Sequence, residues 1–321
     1  TMRLSHAVND LVTAAIADGR SRRTVGDYQQ KLQPLVDFLD DKPIEEVTTS
    51  DLRSYAAHLR TRSTRYDSHP NRTKLEGGLA QASVAGYLRV LRRLFRFAEG
   101  EGWIRENPAK AIRVPKPKRG EPKAISTQDF SSLLQAVQGD TVNERRNRAM
   151  LLLLADSAAR VGGLVRIRLA DLDLDQRTVY LVEKGEKGRY AFFSPLTGEA
   201  IKSWLAVRPA GVSDYLFLNL GARYGEQMST QTVSEVLRRL KEKVGIQGAI
   251  NPHSFRHGFA REFLKNGGNL ASLADIMGHS DISVTWQAYA VFTVDELKAA
   301  HARYSPVACL ERQAANGSAA T

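Results

Sequence analysis

The chain is poor in cysteine: among 321 residues there is one, Cys309. That excludes an intramolecular disulfide and any zinc site built from several cysteines. Long apolar runs are missing too. The longest, residues 149–155, falls far short of the roughly 20 residues that span a bilayer. The opening TMRLSHAVNDLV has no apolar core of a secretory signal, so a cytoplasmic protein is expected. No internal repeat or low-complexity tract is visible. Acid is in short supply, with 35 Asp and Glu against 46 Lys and Arg, a net charge of +11. Residues 1–123 carry 23 of those basic groups and 15 of the acidic ones. A basic excess gathered in one region suits a polyanion, either nucleic acid or an anionic membrane surface.

What is present reads as a globular protein, 42% hydrophobic and 25% charged, long enough for two domains. Leu4, Val8, Leu11, Val12 and Ile16 share helical spacing, with Gly19 as a stop. A second helix follows a cap between Ser21 and Thr24 and buries Tyr28, Leu32, Leu35, Val36 and Leu39. A third starts at Thr49 or Ser50 and buries Leu52, Tyr55, Ala56 and Leu59. Residues 62–80 read as a polar loop. The fourth helix, about 81–100, has two faces: Val84, Leu88, Leu91 and Phe95 on one, Arg89, Arg92, Arg93 and Arg96 on another. Four arginines without an interleaved acid repel one another, so the stripe is either a solvated face or a surface for DNA phosphates.

Residues 114–123 (VPKPKRGEPK) are too rich in proline and charge to pack, and read as a linker. The expected organisation is an all-helical basic domain over 1–113, the linker, a second domain over 124–307 and a mobile tail over 308–321. In the second domain, helices are expected after Ser126-Thr127 through Val137 and at 143–159. Three strands follow at 165–169, 178–183 and 189–193, then helices at 198–207, 230–244, 253–266, 270–277, 283–289 and 294–302. The fold class is therefore mainly α with a small antiparallel sheet.

Chemistry concentrates between Asn251 and Tyr289. His253 and Arg256 are three apart at a helix start marked by Pro252, where an anion is favoured. The guanidinium fork suits phosphate oxygens and the imidazole exchanges protons near neutrality. His257 stands four after His253, the spacing of a metal pair. Ser254 occupies the place where the zincin motif has glutamate, so no metal site is expected, and His257 reads as a packing residue. His279 follows Gly278 at a helix corner, as a cap or aimed into a cleft, and Tyr289 lies among apolar neighbours as a core tyrosine would. Arg160 ends a buried helix, where a charge needs a partner. Lys184 begins the glycine-bearing hairpin KGEKGR.

In this order — ARVGGLV, VEKGEKGRYAFF, SFRHGFA, MGHSDIS, then Tyr289 — the chain resembles the tyrosine recombinase (phage integrase) family over nearly its whole length. The resemblance implies a helical core-binding domain and a catalytic domain forming a clamp on duplex DNA, with several protomers, a tetramer, on paired sites. It implies that Arg160 and Arg256 hold the scissile phosphate and that Tyr289 attacks it, leaving a 3′-phosphotyrosine. Lys184, with Lys187 as alternative, would protonate the leaving 5′ oxygen. His253 would assist proton transfer and His279 would hydrogen-bond a phosphate oxygen. No metal or nucleotide cofactor is implied. Arg89, Arg92, Arg93 and Arg96, with Lys116, Lys118 and Arg119 of the linker, would touch DNA.

The chain departs from the family in two places. The usual Thr-Gly-x-Arg-x-x-Glu-Leu is here Ser157-Ala158-Ala159-Arg160-Val161-Gly162-Gly163-Leu164, so something else must orient Arg160, a carboxylate from elsewhere being one candidate. The tyrosine comes ten residues after His279, where many members have nine. A type IB topoisomerase and an integrase-derived DNA-binding protein are the alternative functions.

Overall fold

The computed structural model describes residues 2–65, 75–116, 123–183, 188–279, 281–289, 298–299, 301–303 and 305–307. The chain divides into two compact units, Thr1–Gly120 and Glu121–Thr321. Most described residues are helical, with a small antiparallel sheet in the second unit.

The first unit packs four helices: α1 (Leu4–Ala17), α2 (Arg22–Phe38), α3 (Thr49–Thr61) and α4 (Gln81–Gly100). Their apolar stripes meet in one core that includes Leu11, Leu32, Leu35, Leu52, Leu59, Leu88 and Phe95. Ile16 is the exception: it shares the α1 spacing but is 60% exposed, near the end of the helix. Gly19, at φ +69°, closes α1, its N–H donating to the Ile16 carbonyl. Ser21 caps α2 by accepting from the Thr24 N–H. The α3 cap is one residue earlier than expected. Thr48 accepts from the Asp51 N–H at 3.2 Å while Asp51 accepts from the Thr48 N–H at 2.9 Å, a reciprocal pair that Lys42 completes by binding Asp51.

The expected 62–80 loop contains a short antiparallel pair, β1 (Thr64–Arg65) with β2 (Leu75–Glu76), so this unit is not purely helical. On α4, Val84, Leu88, Leu91 and Phe95 are buried, while Arg89, Arg93 and Arg96 are exposed and Arg92 half-buried. Arg93 also lies over the Tyr28 ring, 5.5 Å from its centroid.

The second unit opens with α5 (Thr127–Gln135), capped by Ser126, and α6 (Val142–Asp156), capped by Thr141. The apolar run of α6 is buried throughout 149–154 and packs against later helices on two sides. The expected strand at 165–169 is absent. In its place are a single helical turn, α7 (Val161–Leu164), and a 3-10 turn over Leu169–Asp171. Apolar alternation there serves burial of Leu164, Val165 and Ile167 rather than sheet pairing.

The sheet is β3 (Leu172–Asp173), β4 (Thr178–Val182) and β5 (Gly188–Phe192) in that spatial order, β4 and β5 paired from Thr178↔Phe192 to Val182↔Gly188. Then come α8 (Pro195–Leu205), α9 (Thr230–Val244), α10 (Pro252–Lys265), α11 (Leu270–Met277) and α12 (Ile282–Tyr289). Trp204 anchors α8 in the core by donating its indole N–H to the Leu216 carbonyl at 2.8 Å. The helix expected at 294–302 falls mostly outside the described residues, as do Lys118, Arg119, Lys184, Lys187 and Cys309. Among the described residues, no helix is long and apolar enough to cross a membrane.

The cap assignment has a direct test in urea unfolding. Thr48→Ala loses about 1 kcal/mol of stability, whereas Ser50→Ala, on the exposed side of the first turn, changes it by less than about 0.5 kcal/mol.

Candidate active site

Helix ends and the adjacent ends of β4 and β5 converge around a single buried carboxylate. Glu183, immediately after β4, is 5% exposed. Arg160, the residue that starts α7, donates its backbone N–H to Glu183 Oε1 at 3.0 Å and pairs its guanidinium with Oε2. From β5, Arg189 approaches Oε1 at 3.5 Å; from α10, Arg256 comes within 4.0 Å of the same oxygen. Three guanidiniums thus surround one carboxylate.

Arg256 is 5% exposed and held mostly by backbone. It donates to the Ala158 carbonyl at 2.6 Å and to the Met277 carbonyl at 2.7 Å. Met277 ends α11, where unpaired carbonyls and the helix dipole favour a cation. Ala158 adopts φ +51°, a left-handed conformation that costs a non-glycine residue about 1 kcal/mol. This is the position at which the resembling motif has glycine. Burial, reinforced by Arg160, pulls the Arg256 pKa down to about 10, leaving it charged at neutral pH.

The same Arg256 guanidinium reaches His279 Nε2 at 2.8 Å. An arginine only donates, so Nε2 accepts and the ring proton sits on Nδ1, beside Thr285 Oγ1. Burial first, then Arg256 and Arg160, lower the His279 pKa to about 4. The imidazole is neutral at physiological pH. Gly278, preceding it, must be glycine on two counts: φ is +65°, and a Cβ would lie 2.7 Å from the Arg189 Cδ.

Tyr289, the last residue of α12, packs half-buried against Ala158, Ala260, Leu273 and Met277. Its hydroxyl meets His257 Nδ1 at 2.5 Å. Burial raises the phenol pKa, against a lowering pull from Arg256. Burial, with His253 and Arg256 adding to it, lowers that of His257. A protonated phenol therefore faces a neutral imidazole.

Of the residues that stand out in the sequence, Arg160, Arg256, His279 and Tyr289 are gathered here. His253 is exposed on an otherwise buried first turn of α10, its backbone N–H held by the Asn251 cap. The structure pairs the Tyr289 hydroxyl with His257, the histidine that reads from sequence as packing. Glu183 and Arg189 do not stand out in the sequence at all. Lys184 and Lys187 lie outside the described residues. Among the described residues, no group of three or more His, Cys, Asp or Glu side chains could hold a metal ion.

Residues 123–295 match the model of the Phage integrase family, more than half of the chain. The chain belongs to that family. Residues 13–102 match its partner module, the Phage integrase N-terminal SAM-like domain. Tyrosine recombinases are among the curated relatives of this chain. One is XerD of Halalkalibacterium halodurans, 28% identical over 297 residues, covering 90% of this chain and 93% of XerD. Another is XerC of Alcanivorax borkumensis, 29% identical over 286 residues and covering 87% of each. Two solved structures share the fold. The Tn1549 transposon integrase, in complex with a circular-intermediate DNA, superposes with TM-score 0.75 at 21% identity, covering 95% of this chain and all of that one. A lambda integrase tetramer bound to a Holliday junction gives 0.68 at 18% identity, covering 88% and 79%.

The histidine environment predicts a pH dependence. Since the folded His279 pKa, about 4, lies below the ordinary 6.5, the unfolded chain binds the proton first as pH falls. Stability therefore declines as pH drops from about 6.5 towards 4, and His257 shifts the same way. Unfolding of His279→Ala followed across that window should show a shallower decline than the parent chain, while the acid loss due to carboxylates remains common to both.

Proposed function

We propose that this chain is a site-specific DNA recombinase that cuts and rejoins DNA through a 3′-phosphotyrosine. The observation that carries the reading is the cluster of Arg160 and Arg256 around Glu183, with His279 on Arg256 and Tyr289 packed beside Ala158, whose carbonyl Arg256 binds. Family membership and the XerC and XerD relatives support it across both units.

Arg160 and Arg256 bind the two non-bridging oxygens of the scissile phosphate. As the phosphorus becomes pentacoordinate those oxygens gain negative charge, which fixed guanidiniums stabilise without reorganising. The Tyr289 hydroxyl gives up its proton, with His257 as the acceptor nearest to it, and its oxygen forms the bond to phosphorus. The bond to the 5′ oxygen breaks, and that oxygen takes a proton from Lys184, or from Lys187 of the same hairpin. A 5′-hydroxyl is released. The reverse step, with the 5′-hydroxyl of another strand as nucleophile, restores the phosphodiester and frees Tyr289. Energy is conserved in the phosphotyrosine, so the cycle runs without a nucleotide.

The exposed α4 arginines Arg89, Arg93 and Arg96, with Arg92 beside them and Lys116, Lys118 and Arg119 of the linker, take DNA phosphates. Strand exchange needs two duplexes and a cut in each strand, so four protomers act together, as in the arrangement in which lambda integrase was solved. The chain works in the cytoplasm, the compartment that holds DNA in the bacteria whose XerC and XerD it resembles.

A nicked duplex carrying the correct site, which traps the covalent adduct, tests the reading. The parent chain should form an adduct that Tyr289→Phe abolishes and that Arg256→Ala slows about 100- to 1000-fold. Relaxation of supercoiled DNA without recombinants would point to a topoisomerase instead, and DNA binding without adduct to a binding protein. The α4 surface has its own measurement. Arg89→Ala and Arg96→Ala each leave one DNA phosphate without its cation, and each should reduce the slope of log K against log salt by about 0.9, with little change in sequence preference.

A further inference from the structure

Position 163, where the resembling motif has glutamate, is glycine in this chain, and the structure gives that glycine a neighbour. A Cβ built on Gly163 would lie 3.2 Å from the Cγ of Glu183 and 3.6 Å from its Oε1. The Glu183 side chain lies directly over Gly163, in space that a larger residue there would claim. Two further carbon atoms on that Cβ would let a carboxylate reach as far as Oε1 now lies. The Glu183 carboxylate binds both the backbone N–H and the guanidinium of Arg160, and Arg189 and Arg256 flank it.

We propose that Glu183 is the positioning residue that aims Arg160 at the reacting phosphate, and that Gly163 is its steric complement, so that the carboxylate's job has moved from residue 163 to residue 183. The proposal rests on the recombinase reading for its catalytic half and on geometry alone for the exchange of space. Arg160 is the most exposed of the three arginines, its side chain 34% accessible against 11% for Arg189 and 6% for Arg256. Arg256 is anchored by two carbonyls. Arg160 has its guanidinium on Glu183. Removing that carboxylate frees Arg160 to swing towards solvent, while Arg256 stays in place.

The test is a cycle of Glu183→Gly, Gly163→Glu and the double variant, with Glu183→Gln and Glu183→Asp alongside. Each is measured for adduct formation at saturating DNA, for DNA affinity and for thermal melting. Loss of aim acts on the chemical step, so Glu183→Gln should slow adduct formation about a hundredfold, with DNA affinity within about threefold, and Glu183→Asp should recover part of the rate. Gly163→Glu alone should also be slow, because two carboxylates then compete for one space. The double variant should return to within about tenfold of the parent rate, well above Glu183→Gly, the signature of coupled positions. A Glu183→Gln chain that cleaves at the parent rate overturns the positioning role. A double variant no faster than Glu183→Gly overturns the exchange. If the parent chain forms no adduct, the recombinase reading fails and the catalytic half falls with it, while melting still judges the exchange. A double variant melting above both single variants supports it, and one melting below both refutes it.

Discussion

One buried carboxylate among three guanidiniums organises the second unit. Glu183 follows β4, Arg189 lies in β5, Arg160 caps α7 and Arg256 projects from α10. Four separate elements are therefore tied through a single residue. Buried charges are costly unless paired, and here one negative charge faces three positive ones. The site keeps an excess of positive charge even when Glu183 is satisfied. A phosphodiester supplies negative charge where the protein has left a surplus, and a pentacoordinate phosphate supplies more. On the recombinase reading, the same imbalance that weakens the free fold would favour the reacting state over the resting substrate.

Around that centre the backbone does much of the positioning. Arg256 is fixed by the carbonyls of Ala158 and Met277, groups that a change of side chain cannot remove. The Ala158 carbonyl is presented by a left-handed alanine, and its neighbour Ser157 binds back to Leu153 in the last turn of α6. The buried apolar run of α6 holds that turn in place. Packing energy in α6 is thus converted into a fixed carbonyl, and the carbonyl into a fixed guanidinium. Strain retained at such a point is expected where precise aim matters more than local stability.

Helix positions are readable from periodicity because each helix hides an apolar stripe, as α4 shows with Leu88 and Phe95 inside and Arg89 and Arg96 outside. The misreadings have local causes. Residues 165–169 alternate like a strand, yet Leu164, Val165 and Ile167 reach the core from turns. Thr48 outcompetes Thr49 because Asp51 can bond back to it. Ile16 keeps the spacing of α1 but emerges where the helix runs past the core. In the site, Arg160, Arg256, His279 and Tyr289 can be found by their order along the chain. Glu183 cannot, since a glutamate before a basic hairpin has no period and no motif, although the glycine at 163 signals that some carboxylate is owed. His257 is visible as one turn beyond His253, but spacing alone does not say which of the two rings faces the tyrosine.

On the recombinase reading, His279 would couple the site's electrostatics to a bound phosphate. Its Nε2 accepts from Arg256 while Nδ1 carries the proton, so as folded it has no donor to offer a phosphate oxygen. A pKa near 4 reflects burial beside three cations, Arg256, Arg160 and Arg189, against a raising pull from Glu183. A phosphate dianion-like transition state placed between those cations reverses the dominant Coulomb contribution, because an anion nearby favours the protonated ring. Arg256, drawn onto a phosphate oxygen, would also release Nε2. Both changes act in the same direction and turn an acceptor into a donor as charge accumulates on the phosphorus. The neutral resting imidazole then has a physical purpose: protonated beforehand, it would add a fourth positive charge to Arg160, Arg189 and Arg256 and weaken the cluster that Glu183 holds together.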